Sequence, residues 1–290
     1  MTAAAIALTA ALLFAIGSVL QQRAASEIPD DQASGAGFIM GLLRRPIWLL
    51  GTVADTSGFV VQGVALAFGS LVLVQPLLAT SLLFALPLGA WINKRRLRRS
   101  DIAWAVLLTI GLTVFLVAGE PTEGVDTAPV RDWLIASAVI VPITVGAVVV
   151  AGRRRSWRAV GLAIATGILF GLTAALVKSA VSYLDDGVVG FLSQWEPYAM
   201  VAAAGLGTYL QQASYQAGSL AQTLPAVAVL EPVVGVALGV GILQEDLQAQ
   251  AGEWVLIALS AVAMVLSTAF LARAQGAAEE SATAAAPGVA

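Results

Sequence analysis

Apolar residues run along this chain in long blocks, separated by short stretches where charges, glycines and prolines collect. A helix needs roughly 20 apolar residues to cross the hydrocarbon core of a bilayer. Nine blocks reach about that length: Ala3–Gln22, Pro46–Phe68, Leu71–Trp91, Ile102–Ala118, Trp133–Ala151, Ala159–Val181, Pro197–Ala217, Leu220–Leu243 and Trp254–Ala272. The pattern predicts an all-α integral membrane protein of about nine transmembrane helices. No basic residues precede the first block, and it is longer than the apolar core of a signal peptide, so it reads as a membrane helix. Residues 274–290, rich in Ala, Gly and Glu, read as a disordered cytoplasmic tail.

Charge then orients the spans. Lys94, Arg95, Arg96, Arg98 and Arg99 follow the third block, and Arg153, Arg154, Arg155 and Arg158 follow the fifth. Basic loops stay on the cytoplasmic side. With both loops inside, Arg23, Arg44, Arg45 and Arg273 fall inside too, and thirteen of the fifteen basic residues are cytoplasmic. Arg131 is left outside and Lys178 within a span. The expectation is a cytoplasmic-membrane protein with its N-terminus outside and its C-terminus inside.

Composition narrows the chemistry. Of 290 residues, 59% are hydrophobic and 11% charged, too few charges to cover a water-soluble domain. A net charge of -3 gives no basic field for nucleic acid. Without cysteine or histidine there is no disulfide, thiolate nucleophile, imidazole metal site or histidine proton relay. No GxSxG, Walker or HExxH motif occurs, so the reading is of a non-enzyme that needs no cofactor. What remains is the chemistry of carboxylates, amides, hydroxyls and carbonyls, suited to hard cations or organic solutes.

The chain also repeats itself. Gln62, Gly69-Ser70-Leu71 and Pro76 recur without gaps as Gln211, Gly218-Ser219-Leu220 and Pro225. Five spans separate the copies, so they cross in opposite directions, the inverted topology of many secondary transporters. One half would be residues 1–151 with helices 1 to 5, the other residues 159–273 with helices 6 to 9. The third and eighth spans carry two prolines each, Pro76 with Pro87 and Pro225 with Pro232. Proline removes a backbone donor, so both spans are expected to be interrupted near a solute site, with Pro76, Pro225 and Pro232 opening the backbone there.

Ionisable residues inside a membrane are costly and usually functional. Asp55 and Glu231 lie about 14 and 17 Å from the cytoplasmic ends of their spans at about 1.5 Å per residue. They are candidates for one mid-membrane site binding substrate or a coupling ion, with a proton among the candidate ions. The bland alternative is a carboxylate bonded to neighbouring hydroxyls such as Thr52 or Thr56. Lys178, near the outer end of its span, reads first as a lysine that snorkels to the headgroups. Its alternatives are a salt bridge or a contact with an anionic group of the solute. Gln62, Gln211 and Gln212 lie deeper than the other glutamines and are expected to line a polar passage. Trp48, Trp91, Trp133 and Trp195 fall where interfacial belt residues do.

The stretches 66–77 (LAFGSLVLVQPL) and 209–225 (YLQQASYQAGSLAQTLP), with Leu243-Gln244-Glu245 in place of a Leu-Gly-Glu, resemble the drug/metabolite transporter superfamily. The resemblance implies a helical bundle of two inverted halves. Within the superfamily, Trp48-Leu-Leu-Gly51 and Leu73-Val-Gln-Pro76-Leu are similar to the NIPA-type magnesium transporters. That likeness implies an acidic ion ligand on the second helix. Its ungapped position is Phe59, and a one-turn shift brings it to Asp55; the metal ligands under that reading are Glu231, the first choice from the residues themselves as coupling or cation-binding carboxylate, and Asp55, the second. The EamA-type exporters of small metabolites usually have ten helices, one more than here, but a glutamine-lined interior suits their organic solutes. The sequence reading is therefore a secondary transporter of a small polar organic solute, working by alternating access within the lipid bilayer. A magnesium or divalent-cation transporter is the alternative, followed by a lipid flippase and a non-transporting scaffold. Oligomeric state is left open.

Overall fold

A computed structural model describes residues 2–26, 45–92, 97–154, 157–250 and 252–284. Arg44, Lys94, Arg95, Arg96 and Arg155, used above for orientation, lie outside the described residues. The helices are α1 (Thr2–Ser26), α2 (Pro46–Ala67), α3 (Leu71–Leu78), α4 (Ser81–Ile92), α5 (Arg99–Gly119), α6 (Val130–Arg153) and α7 (Arg158–Ser182). A 3-10 turn, Tyr183–Asp186, precedes α8 (Gly187–Ser193), α9 (Glu196–Ala217), α10 (Leu220–Gly241) and α11 (Glu253–Ala284). Two short strands, β1 (Pro121–Thr122) and β2 (Asp246–Leu247), pair antiparallel. Among the described residues, eight helical segments are long and apolar enough to cross a membrane, α3 and α4 together forming one of them. The remaining expected span is α9, 22 residues long but diluted by Gln211, Gln212 and Gln216.

Two expectations need correction. The third span is interrupted, at Ala79–Thr80 between α3 and α4, but α10 runs unbroken through Pro225 and Pro232. At the interruption the Thr80 amide and hydroxyl both donate to the Leu77 carbonyl. The position matched to Thr80 by the repeat is Val229, which has no hydroxyl. The C-terminal tail is also more ordered than composition implied. α11 continues to Ala284, because alanine and glutamate favour helix and Gly276 lies directly against the backbone of Leu220 and Ala221.

Close packing, not water exclusion, must hold helices together in lipid, and small residues supply it here. α1 packs on α2, α3 and α4, while α7 packs on α9, α10, α6 and α2. Two contacts of the first set recur in the second. A methyl at Gly58 would come within 3.0 Å of the Phe14 ring, and one at Gly207 within 2.8 Å of the Phe170 ring. A methyl at Gly69 would meet Ala3 at 2.6 Å, and one at Gly218 would meet Ala159 at 2.5 Å. α3 lies against α10, and α5 against α11, where Trp104 stacks on Phe270 at 4.2 Å.

Candidate functional site

Asp55 sits where α1 and α2 cross. Gly17 of α1 permits the approach, since a methyl there would stand 3.0 Å from Asp55 Cβ. At 3.6 residues per turn, Asp55 points the opposite way from exposed Val53 and shares a face with buried Gly51, Gly58, Gln62 and Leu66. The exposed stripe of Val53, Val60 and Val64 meets lipid. Asp55 is itself exposed.

Glu231 has the same relation to its own helix. It points away from exposed Val233 and Val240 and shares a stripe with buried Gly235 and Gly239. It is half-buried. Among the described residues α2 and α10 have at most marginal contact, while α3 and α7 pack against both. α3 and α7 thus pack against the helices that carry Asp55 and Glu231.

The interruption in the third span lies at the same level. A methyl at Gly239 would meet Leu71 Cβ at 3.1 Å, and one at Gly235 would meet Gln75 Cγ at 2.9 Å. Carried one further turn, this antiparallel register puts Ala79 opposite Glu231. Pro232 has no N–H to give to the Ala228 carbonyl. Both partners of the α3–α10 contact thus carry loosened backbone beside Glu231. Pro76 is buried in α3, four residues before Thr80.

One end of this interface is tightly closed. Beyond α10 the chain turns back through Gln244, whose φ of 55° is the left-handed conformation that glycine adopts most cheaply. A glycine at that position in the Leu-Gly-Glu motif has the same physical basis. The turn brings Glu245 against Gly239. Its Oε1 accepts from Leu71 N at 2.7 Å and its Oε2 from Val72 N at 2.9 Å, while Ser70 Oγ accepts from Leu73 N at 3.1 Å. Three N–H groups that a helix N-terminus leaves unbonded are so satisfied. Lys178 Nζ donates to the Gly69 carbonyl at 2.9 Å and stands 3.6 Å from Glu245 Oε1. At 3% exposure Lys178 does not snorkel; it is half of a buried ion pair. Burial pushes the Glu245 carboxyl above the usual carboxylate range, against the opposing pull of the two amides and the ammonium. Val125 N donates to the Leu243 carbonyl at 2.7 Å, and the β1–β2 ladder covers the same end.

The other expected residues are scattered. Gln62 is buried, Gln211 half-buried and Gln212 exposed. Trp133 departs from the belt pattern: it is buried and meets Trp195 edge to face at 5.7 Å. Gln75 and Glu196 were not singled out, although both are almost wholly buried and each has a polar atom without a hydrogen-bond partner. Only the position of Gln75 beside Pro76 hinted at its place. A cavity of about 360 Å³ between α4 and α5 is lined mainly by Leu83, Leu86, Ile102 and Val106 and lies away from both carboxylates.

No protein-family model and no solved structure matches the chain. The uncharacterised protein Cgl0250/cg0304 of Corynebacterium glutamicum is 36% identical over 269 residues, covering 92% of this chain and 93% of its own length. Two Arabidopsis thaliana proteins match in part. The probable magnesium transporter NIPA1 is 30% identical over 108 residues, and the probable magnesium transporter NIPA2 is 26% identical over 110. Those matches take in 35% and 38% of this chain and 32% of each relative's length. The eight apolar spans among the described residues mark an integral membrane protein.

Proposed function

The chain belongs to the family of the Corynebacterium glutamicum protein Cgl0250/cg0304, and we propose that it is a secondary transporter of a divalent cation of the magnesium class. What supports this reading is that Asp55 and Glu231 each turn away from the exposed valines of their own helices, Val53 and Val233. Two carboxylates brought together repel unless a cation or a proton sits between them. Mg²⁺ sheds its water reluctantly and is usually held by one or two carboxylates with several waters kept. Among the described residues no cluster of three acidic side chains could strip it further, which suits an ion that must leave again. The partial likeness to two probable magnesium transporters points the same way. An organic solute draws its support from the glutamines, and these are dispersed between buried and exposed positions.

Transport would proceed by alternating access, with two inverted halves rocking about the carboxylate pair. The recurring contacts Gly58–Phe14 and Gly207–Phe170, and Gly69–Ala3 and Gly218–Ala159, support such halves. So do Ser70 and Ser219, which start α3 and α10 with nearly the same backbone, φ -72° and ψ 155° against φ -73° and ψ 146°. With the basic loops cytoplasmic, the end closed by Lys178 and Glu245 faces outward.

Thermal unfolding of the detergent-purified protein tests the substrate. A ligand at a hundred times its Kd stabilises by about 2.7 kcal/mol. The proposal expects a rise with Mg²⁺ that Glu231→Gln loses. A rise with amino acids or polyamines alone would transfer the site to an organic solute. A response to none of them, with one to lipid headgroups, would indicate a flippase.

A further inference from the structure

α11 packs against both α4 and α5, while α4 and α5 have at most marginal contact with each other among the described residues. The space between them is the cavity of about 360 Å³, walled by Leu83, Leu86 and Pro87 of α4 and by Ala105, Val106 and Ile110 of α5. Two polar residues reach it, and both are engaged elsewhere. The Thr109 hydroxyl donates to the Ala105 carbonyl at 2.9 Å, and the Asp101 carboxylate accepts from Arg98 N at 3.3 Å and Ser100 Oγ at 3.2 Å. The cavity therefore offers an occupant mainly apolar contact, which suits hydrocarbon and not an ion or a polar solute. Its open side faces lipid: Ile102, Val106 and Ile110 recur every four residues along α5, and each is more than half exposed. A groove left empty there forfeits dispersion contacts that a lipid chain restores. From Asp101 to Ile110 it follows α5 for about 14 Å, roughly half the hydrocarbon thickness, which is the reach of a chain from one leaflet. Charge then selects the lipid. Leu97 and Asp101 line one end of the groove, and Arg98 and Arg99, both exposed, stand between those two positions. They open α5, whose N-terminal dipole also favours an anion.

We propose that the groove between α4 and α5 binds an anionic phospholipid, its acyl chain along Ile102, Val106 and Ile110 and its phosphate at Arg98 and Arg99. The basic-loop orientation places this lipid in the cytoplasmic leaflet. A zwitterionic lipid fills the same groove but gains less from the two guanidinium groups, because its own cation offsets its phosphate. The inference does not depend on the cation-transport reading.

Native mass spectrometry of the detergent-purified full chain, titrated with phosphatidylglycerol or phosphatidylcholine of identical acyl chains, tests it. One arginine near a membrane surface is worth about fivefold in affinity for an anionic lipid, so the first phosphatidylglycerol should bind roughly tenfold or more tighter than the first phosphatidylcholine. Arg98→Gln combined with Arg99→Gln should abolish that preference and leave phosphatidylcholine binding within about twofold. Val106→Trp fills the groove from its exposed side and should weaken both lipids about tenfold. Ile110→Trp, one turn along the same stripe, repeats the test should Val106→Trp fail to fold. Val139→Trp, at an exposed position of α6, should change neither lipid. Equal affinity for the two lipids overturns the inference, as does a preference that survives the loss of both arginines. Wild-type binding by the groove variant overturns it, and so does a Val139→Trp that weakens the lipids as much. A dimer that the groove variant dissociates, without any lipid preference, would put a second copy of the chain in the groove and overturn it too.

Discussion

Lys178→Met should be among the most destabilising single changes in the protein. The substitution keeps the length of the chain but leaves the Gly69 carbonyl without its 2.9 Å donor and Glu245 without its cation, both at buried positions. Removing one partner of a buried pair typically costs about 3–5 kcal/mol. Glu245 retains the Leu71 and Val72 amides, so the lower end, about 3 kcal/mol, is the expected figure. For a chain of this size that amounts to roughly 5–10 °C in apparent Tm. The deficit should also depend on pH. Burial already holds Glu245 above the usual carboxylate range, and losing an opposing cation raises it further. A carboxyl whose folded pKa exceeds its unfolded value withdraws stability as pH rises between the two. The deficit therefore grows from mildly acidic toward neutral pH and recedes on acidification. Adding Glu245→Gln should restore part of the loss, since removing both charges is far cheaper than stranding one. The assay is thermal unfolding of wild type, both single variants and the double variant across that pH range. A Lys178→Met cost below about 1 kcal/mol, the scale of an exposed pair, with no pH dependence, would refute the reasoning.

Gly171→Ala should cost about 1–3 kcal/mol, because its methyl would stand 2.6 Å from Val234 Cβ and 2.7 Å from the Glu231 carbonyl. Gly146→Ala, with nothing within 4 Å, should leave Tm unchanged, and equal effects at the two sites in thermal unfolding would contradict the α7–α10 packing. Asp55→Asn should weaken Mg²⁺ stabilisation at least tenfold with little change in Tm, because Asp55 is exposed; a large loss of stability would make it a structural residue.

Much of the architecture was legible because the spacing of apolar blocks is set by the bilayer, which leaves little choice. Asp55 and Glu231 were visible for the same reason, since a carboxylate in a span is conspicuous. Their mutual orientation depends on rotation about two helix axes, which the spacing of apolar blocks does not carry. Matched prolines did not give matched interruptions: α10 runs through both of its prolines, because a helix can absorb the one hydrogen bond that each proline removes. Lys178 was misread as a headgroup contact. Its partner Glu245 lies 67 positions away, beyond a turn whose geometry rests on Gln244. Gln75 lies near a span end, where glutamine is ordinarily hydrated, but it is almost wholly buried and packs on Gly235.

Initial Mg²⁺ uptake by proteoliposomes carrying wild type or Glu231→Gln tests the central claim most directly. The account predicts saturable uptake by the wild type and a loss of at least tenfold in the variant, with an unchanged elution profile and Tm no lower. Equal uptake by both proteins would contradict it.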